Sequence, residues 1–300
     1  MISLTDIIKK ENIISVSPED HLSYALSRLS TSHDAVFVFE DVERPSEKKK
    51  FLGIINPYHC LIKSSYPGNT KVKHCLVHPP KIFTDYSLFK VINLLIQSKI
   101  HYLPVFENIK RPEEKERFLG VISARRVLSH LKNLPIYKDK IELLIKSKKR
   151  PLLVIYEEDS IAKALDIFRK TRISKLIVIN QEMKLKGVLS YYDLISFLGS
   201  PDRRQERSGR QGNKIHLYSQ KVKNFMKNYV LTLSQEKPLF QAFNLILEKK
   251  IGSVIIIDEE HHPIGVITTR DLFQYFLSKE GGLFKQVSLT VDRLLSRNKT

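Results

Sequence analysis

The feature that most constrains this chain is that it repeats itself. The stretch FEDVERPSEKKKFLGII at 39–55 returns as FENIKRPEEKERFLGVI at 106–122. A glycine followed by two apolar residues and a small polar or amide residue recurs from Gly53, Gly120, Gly187 and Gly265, closing on Asn56, Ser123, Ser190 and Thr268. The first two intervals are 67 residues and the last is 78. The extra length falls in 199–212, a polar stretch without apolar periodicity that reads as a flexible linker. Four copies of one unit are present, and a unit of this size buries its apolar face only against a neighbour.

Each copy reads in the same order. In the fourth, Leu239, Phe240, Phe243, Leu245 and Ile246 recur at helical spacing, and Ser253 to Asp258 is a β-rich run. The residues 259–263 then reverse the chain into a second strand, Ile264 to Thr268, and a helix begins near Arg270. A short strand, Val230 to Leu233, stands in front. The third copy matches with Ile161, Ala164, Leu165 and Phe168 on a helix face, strands at Lys175 to Asn180 and Gly187 to Ser190, and a helix from Asp193. The first two copies carry longer charged turns, 41–50 and 108–117, read as exposed hairpin loops that could also form a docking surface.

Composition narrows the class. At 300 residues the chain is long enough for two ordinary domains, and 42% apolar with 27% charged residues is a globular mix. No apolar run approaches the roughly 20 residues of a membrane helix, and the opening Met1 to Asp6 is unlike a secretion signal, so a cytoplasmic protein is expected. Cys60 and Cys75 form no CxxC pair and read as reduced, structural thiols. A net charge of +18 points to an anionic partner, whether nucleotide, nucleic acid or acidic protein face. Clusters at 48–50, 146–150 and 203–214 carry much of that excess, and lysine-rich solvated loops explain it equally well.

The order of elements and the closing phrase Gly-h-h-Ser/Thr-x-x-Asp, with h apolar, resemble the CBS domain, named for cystathionine β-synthase. The best copies are Gly187-Val-Leu-Ser-Tyr-Tyr-Asp193 and Gly265-Val-Ile-Thr-Thr-Arg-Asp271. Ser98-Lys-Ile-His-Tyr-Leu-Pro-Val105, with Arg126 where aspartate is expected, is similar to the four-copy gamma regulatory subunits of AMP-activated protein kinase. The resemblance implies an α/β (α+β) fold of four units paired about pseudo-twofold axes into two modules. The expected boundaries are 1–65, 66–131, 140–198 and 221–279, with a basic linker at 199–220 and a tail at 280–300.

The closing phrase suits a nucleotide. A carboxylate at a helix start accepts hydrogen bonds from the two ribose hydroxyls, while the hydroxyl three residues earlier faces the phosphate. Asp271 with Thr268, and Asp193 with Ser190, meet that requirement, and a plain helix cap is the competing reading. The resemblance implies that Asp271 and Thr268 face Leu152, Leu153, Ile173 and Ser174, and that Asp193 and Ser190 face Val230, Leu231, Ile251 and Gly252. Lys148 and Arg270 are phosphate candidates. The first module is degenerate, closing on His59 and Arg126 in place of aspartate, so its His59, His101 and Arg126 are expected at most to hold a phosphate.

No Walker loop, GxGxxG, HExxH or Ser-His-Asp context is present, and His261 and His262 on one hairpin tip point apart, so neither catalysis nor a metal is expected. The reading is a non-catalytic sensor of AMP, ADP or ATP that regulates a separate partner, a protein kinase or another copy of this chain. A nucleic-acid-binding or scaffold protein with decayed sites is the alternative. The tail after Gly281 is read as a last helix or a docking segment.

Overall fold

Fourfold repetition in the sequence becomes fourfold repetition of one small sheet. The computed structural model describes residues 4–29, 35–40, 50–108, 116–148, 150–198 and 217–280. The basic stretch 203–214, the tail from 281 and most of the two long hairpin turns lie outside the described residues. The four sheets are β1 (Ser15–Val16), β2 (Val36–Glu40) and β3 (Lys50–Ile55); β4 (Ile82–Phe83), β5 (Tyr102–Phe106) and β6 (Phe118–Ser123); β7 (Val154–Tyr156), β8 (Lys175–Ile179) and β9 (Leu185–Ser190); and β10 (Thr232–Ser234), β11 (Ser253–Ile257) and β12 (Pro263–Thr268). In each, the first strand runs parallel to the second and the second antiparallel to the third. The ladder slips at the same step in all four, at Val38/Phe39, Val105/Phe106, Val178/Ile179 and Ile256/Ile257. A bulge at a shared position re-aims the hairpin identically in every copy.

A helix connects the parallel pair in each sheet, as a parallel crossover requires. These are α1 (Leu22–Ser27), α2 (Leu88–Ser98), α5 (Ile161–Thr171) and α7 (Leu239–Glu248). Ser87 and Ser160 cap α2 and α5, each hydroxyl accepting from the backbone N–H three residues on. Lys99 and Arg172 end the same two helices in the left-handed conformation, with φ of 58° and 57°. The first strand of the fourth unit begins at Thr232, later than expected, and its second hairpin strand begins at Pro263, an edge position where a missing N–H is harmless. The third unit closes through a 3₁₀ turn, Tyr191–Leu194, before α6 (Ile195–Leu198).

Pairing of units comes from crossing backbone. Lys9 bridges Val121, Val77 bridges Ile54, and Lys227 bridges Val188, so the segment in front of one unit lies across the last strand of its partner. Bridges at His21–Lys71, Ser160–Lys221 and Lys140–Pro238 carry each leader onto the partner's helix start. Sheets face each other through phenylalanines in the first module, where Phe51 stacks on Phe118 at 5.8 Å. In the second module Ile177, Ile179, Val188 and Ile255 fill that space.

The two modules then meet helix to helix. One core joins units one and three through Leu22, Cys60, Phe168 and Tyr191, with Tyr58 Oη donating to the Arg169 carbonyl at 3.2 Å. The other joins units two and four through α2, α3 (Ala124–His130), α4 (Ile141–Ser147), α7 and the closing helix 269–280. There Tyr137 packs on Phe243 at 4.7 Å and Phe89 on Phe276 at 5.1 Å. Cys60 and Cys75 are buried free thiols, and the hydrogen bond with Cys75, together with burial, pushes the Cys60 thiol up.

Candidate functional site

The four closing phrases share one turn chemistry. Asn56 Oδ1 accepts from the His59 N–H at 3.1 Å, Ser123 Oγ from Arg126 N at 3.2 Å, Ser190 Oγ from Tyr192 N at 3.2 Å and Thr268 Oγ1 from Asp271 N at 3.2 Å. In units three and four the aspartate completes a reciprocal cap. Asp193 Oδ2 accepts from Ser190 N at 2.8 Å, and Asp271 Oδ2 accepts from Thr268 N at 2.7 Å and from the Thr268 hydroxyl at 2.6 Å. Capping and presentation therefore coexist, because the two carboxylate oxygens are divided between the tasks.

The outer oxygens meet cations from the partner unit. Lys148 Nζ, just beyond α4, lies 2.9 Å from Asp271 Oδ1 and donates to the Val266 carbonyl at 2.5 Å. Lys227 Nζ lies 2.9 Å from Asp193 Oδ1. Both aspartates are largely buried, at 15% and 10% side-chain exposure, but the lysines differ: Lys148 is 24% exposed and Lys227 71%. The Lys227 pair is therefore open to solvent and worth little to stability, whereas the Lys148 pair is shielded.

A third cation crosses between the two sheets. Lys175 Nζ, at the start of β8, donates to Ser253 Oγ at 2.9 Å at the start of β11. Burial, and then the Lys227 charge, holds the Lys175 ammonium below its ordinary pKa, opposed by the attraction of Asp193. Arg270 acts electrostatically on Lys99 of unit two. Its charge, with those of Arg150 and Arg172, adds to burial in lowering the Lys99 pKa, which puts a cationic cluster where unit two meets the second module.

The apolar residues expected in these clefts divide. Leu152 and Val230 pack together on the inter-sheet cluster of Ile177, Val188 and Ile255, beside Val266. Leu153 and Ile173 pack against the core of units one and three, and Ile251 against that of units two and four. All five are half-buried, and the Leu231 carbonyl accepts from Ile255 N. Ser174 and Gly252 stand exposed at the entrances to β8 and β11.

The first module does not gather its three expected phosphate contacts. His59 lies on a π-helix, Tyr58–Lys63, with its ring 6.2 Å from that of Tyr66, and burial with the Lys63 charge lowers its pKa. The exposed His101 precedes β5, and its carbonyl accepts from Ala124 N at 2.7 Å. Arg126 alone of the three lines a cavity of about 370 Å³, together with Lys9 and Arg125. Sequence reasoning missed Lys175, Lys227, Lys9 and Arg125. Lys227 could have been found, since it precedes Val230 by three residues much as Lys148, which the sequence singles out and which lies beside Asp271, precedes Leu152 by four. Lys175 gave no such signal, because its repeat counterpart is a serine.

Comparison with known proteins agrees with the fold. The CBS-domain family model matches residues 72–133, 145–200 and 222–278. Subunit gamma-3 of the pig (Sus scrofa) 5′-AMP-activated protein kinase is 24% identical over 66% of this chain, and the match spans 38% of the pig protein. Protein MJ1404 of Methanocaldococcus jannaschii is 20% identical over 94% of this chain and is spanned for 64% of its own length. The crystal structure of protein MJ1225 from the same archaeon superposes with a TM-score of 0.73 at 18% identity, covering 92% of this chain and all of that one. The family model covers more than half of the chain, and the first copy, outside those matches, folds into the same three-stranded sheet: the chain belongs to the CBS-domain family and carries four of its repeats.

Proposed function

We propose that this chain is a non-catalytic regulatory protein that binds an adenine nucleotide (AMP, ADP or ATP) in the clefts of its second module. The observation that carries the reading is the division of labour at Asp193 and Asp271. One oxygen of each is fixed by the cap, and the other faces a lysine of the partner unit at 2.9 Å. Each cleft thus holds an acceptor suited to ribose hydroxyls and a cation suited to phosphate, contributed by different units. A nucleotide replacing the aspartate as partner of Lys227 or Lys148 would touch both units and change how they pack, which is the differential binding that regulation requires. Leu152 and Val230 would supply the apolar floor. The repeat boundaries 1–65, 66–131, 140–198 and 221–279 belong to the same proposal.

A sensor needs a target. Pig gamma-3 is by name a kinase subunit, and a separate protein kinase is accordingly the first partner to test, a second copy of this chain the next. Titration calorimetry of the full chain with AMP, ADP and ATP tests the site. We expect saturable binding that weakens at least about tenfold in Asp193→Ala, Asp271→Ala with the fold retained, the loss expected for hydrogen bonds to a charged group. Binding unchanged in that double variant would overturn the assignment. Affinity only for nucleic acid, falling steeply with salt, would favour a nucleic-acid adaptor instead.

A further inference from the structure

The cavity beside Arg126 is built differently from the aspartate clefts. Lys9, Tyr102, Ser123, Arg125, Arg126, Ser129 and Leu247 line about 370 Å³, with three cations, three hydroxyls and no carboxylate. The elements that bring them together come from three units. Lys9 is held against β6 by paired backbone bonds to Val121 at 2.8 and 2.9 Å, α3 supplies both arginines, and Leu247 reaches in from α7. Gly120 permits this approach, since a Cβ there would lie 2.4 Å from the Lys9 carbonyl oxygen.

Two of the cations are held by backbone carbonyls. Lys9 Nζ donates to the Asn12 carbonyl at 2.8 Å and Arg125 Nη2 to the Lys250 carbonyl at 2.8 Å. Among the described residues, no carboxylate lies within 4.0 Å of the charged nitrogens of Lys9, Arg125 or Arg126. Three positive charges around one open volume, without a counter-charge, repel one another, and a multivalent anion relieves that repulsion. The register that presents Asp193 and Asp271 in the second module presents Arg126 here, so the site lacks the carboxylate that would take both ribose hydroxyls. Guanidinium groups match phosphate oxygens two at a time.

We propose that this cavity binds a polyphosphate chain, recognised by the charge of Lys9, Arg125 and Arg126 without its sugar or base. The site is distinct from the second-module clefts and does not depend on the nucleotide reading of them. Because Arg125 ties unit two to Lys250 of unit four beside the cavity, an anion there bears on the contact between modules.

Inorganic tripolyphosphate, ATP and AMP are titrated calorimetrically into the full chain. The variants are Arg126→Gln, Lys9→Gln, the double variant Asp193→Asn, Asp271→Asn, and the exposed control Lys237→Gln, each checked for an unchanged melting profile. Tripolyphosphate is expected to bind saturably, to weaken at least about tenfold in Arg126→Gln and in Lys9→Gln, and to be indifferent to Lys237→Gln and to the aspartate variant. An equal loss in Lys237→Gln would reduce the effect to diffuse surface charge and overturn the site. So would absent tripolyphosphate binding, or binding of ATP but not tripolyphosphate at this cavity. Loss of AMP binding alone in the aspartate variant bears on the second-module reading and leaves this one standing.

Discussion

Replacing one glycine by alanine at different positions in the repeats should have very different costs. At Gly187 an added Cβ would sit 2.6 Å from the Lys227 carbonyl oxygen and 3.2 Å from Met226 Sδ. That carbonyl accepts from Val188 N at 3.0 Å, and Lys227 N donates back to Val188 at 2.8 Å. The clash falls on backbone, so the crossing segment must move and both bonds lengthen. At a net worth of about 1 kcal/mol for each of the two bonds, plus about 1–3 kcal/mol for overpacking, the loss is about 3–5 kcal/mol. For a chain of this size that lowers the melting temperature by about 5–8 °C. Gly120→Ala should cost at least as much, because its φ of 151° adds backbone strain to a contact of 2.4 Å. Gly252→Ala is the control: nothing described lies within 4 Å, and restriction of the unfolded chain makes the change neutral or stabilising by up to about 1 kcal/mol. The assay is calorimetric melting of the three variants beside the parent. Coincident melts for Gly187→Ala and Gly252→Ala would refute the claim that crossing backbone holds the paired units together.

Three further outcomes are expected. Phe168→Ala, at a fully buried position between units one and three, should lose about 3–5 kcal/mol, read from the urea midpoint. Glu158 accepts from Lys221 and Lys223, which hold its carboxyl down at about 2 against an ordinary 4.5. Its folded pKa lies below its unfolded one, so its contribution is complete above pH about 4.5 and is lost as pH falls towards about 2. Glu158→Gln should flatten that limb of the stability profile, and added salt should shrink the difference, since the pair is exposed. Lys175→Met should leave stability unchanged or raise it by about 1 kcal/mol, because burial already disfavours the ammonium; a clear fall in melting temperature would show that its bond to Ser253 outweighs desolvation.

Much of the fold is legible in the chain because local chemistry repeats it. The glycine spacing, the 3.6-residue stripe of Ile161, Ala164, Leu165 and Phe168, and the β-branched runs at 175–180 and 253–258 each determine a helix or strand without outside help. The closing phrase likewise declares its own cap, since Ser190 and Asp193, or Thr268 and Asp271, reach each other within one turn. What surrounds that cap was legible only in part, through the family resemblance that singled out Lys148. Lys148 and Asp271 lie 123 residues apart in the chain, and Lys175 meets Ser253 across 78, so no local periodicity marks either pair. Only the crossing of one unit's leader over its partner's last strand brings these charges together. The same holds for the first module: the sequence shows that Arg126 replaces an aspartate, but it took the Lys9–Val121 bridge and the reach of Leu247 from the fourth unit to make a cavity around it. Elements follow from neighbours in sequence, whereas a cleft between units follows from which apolar faces bury each other, and that is decided by the packing of the whole chain.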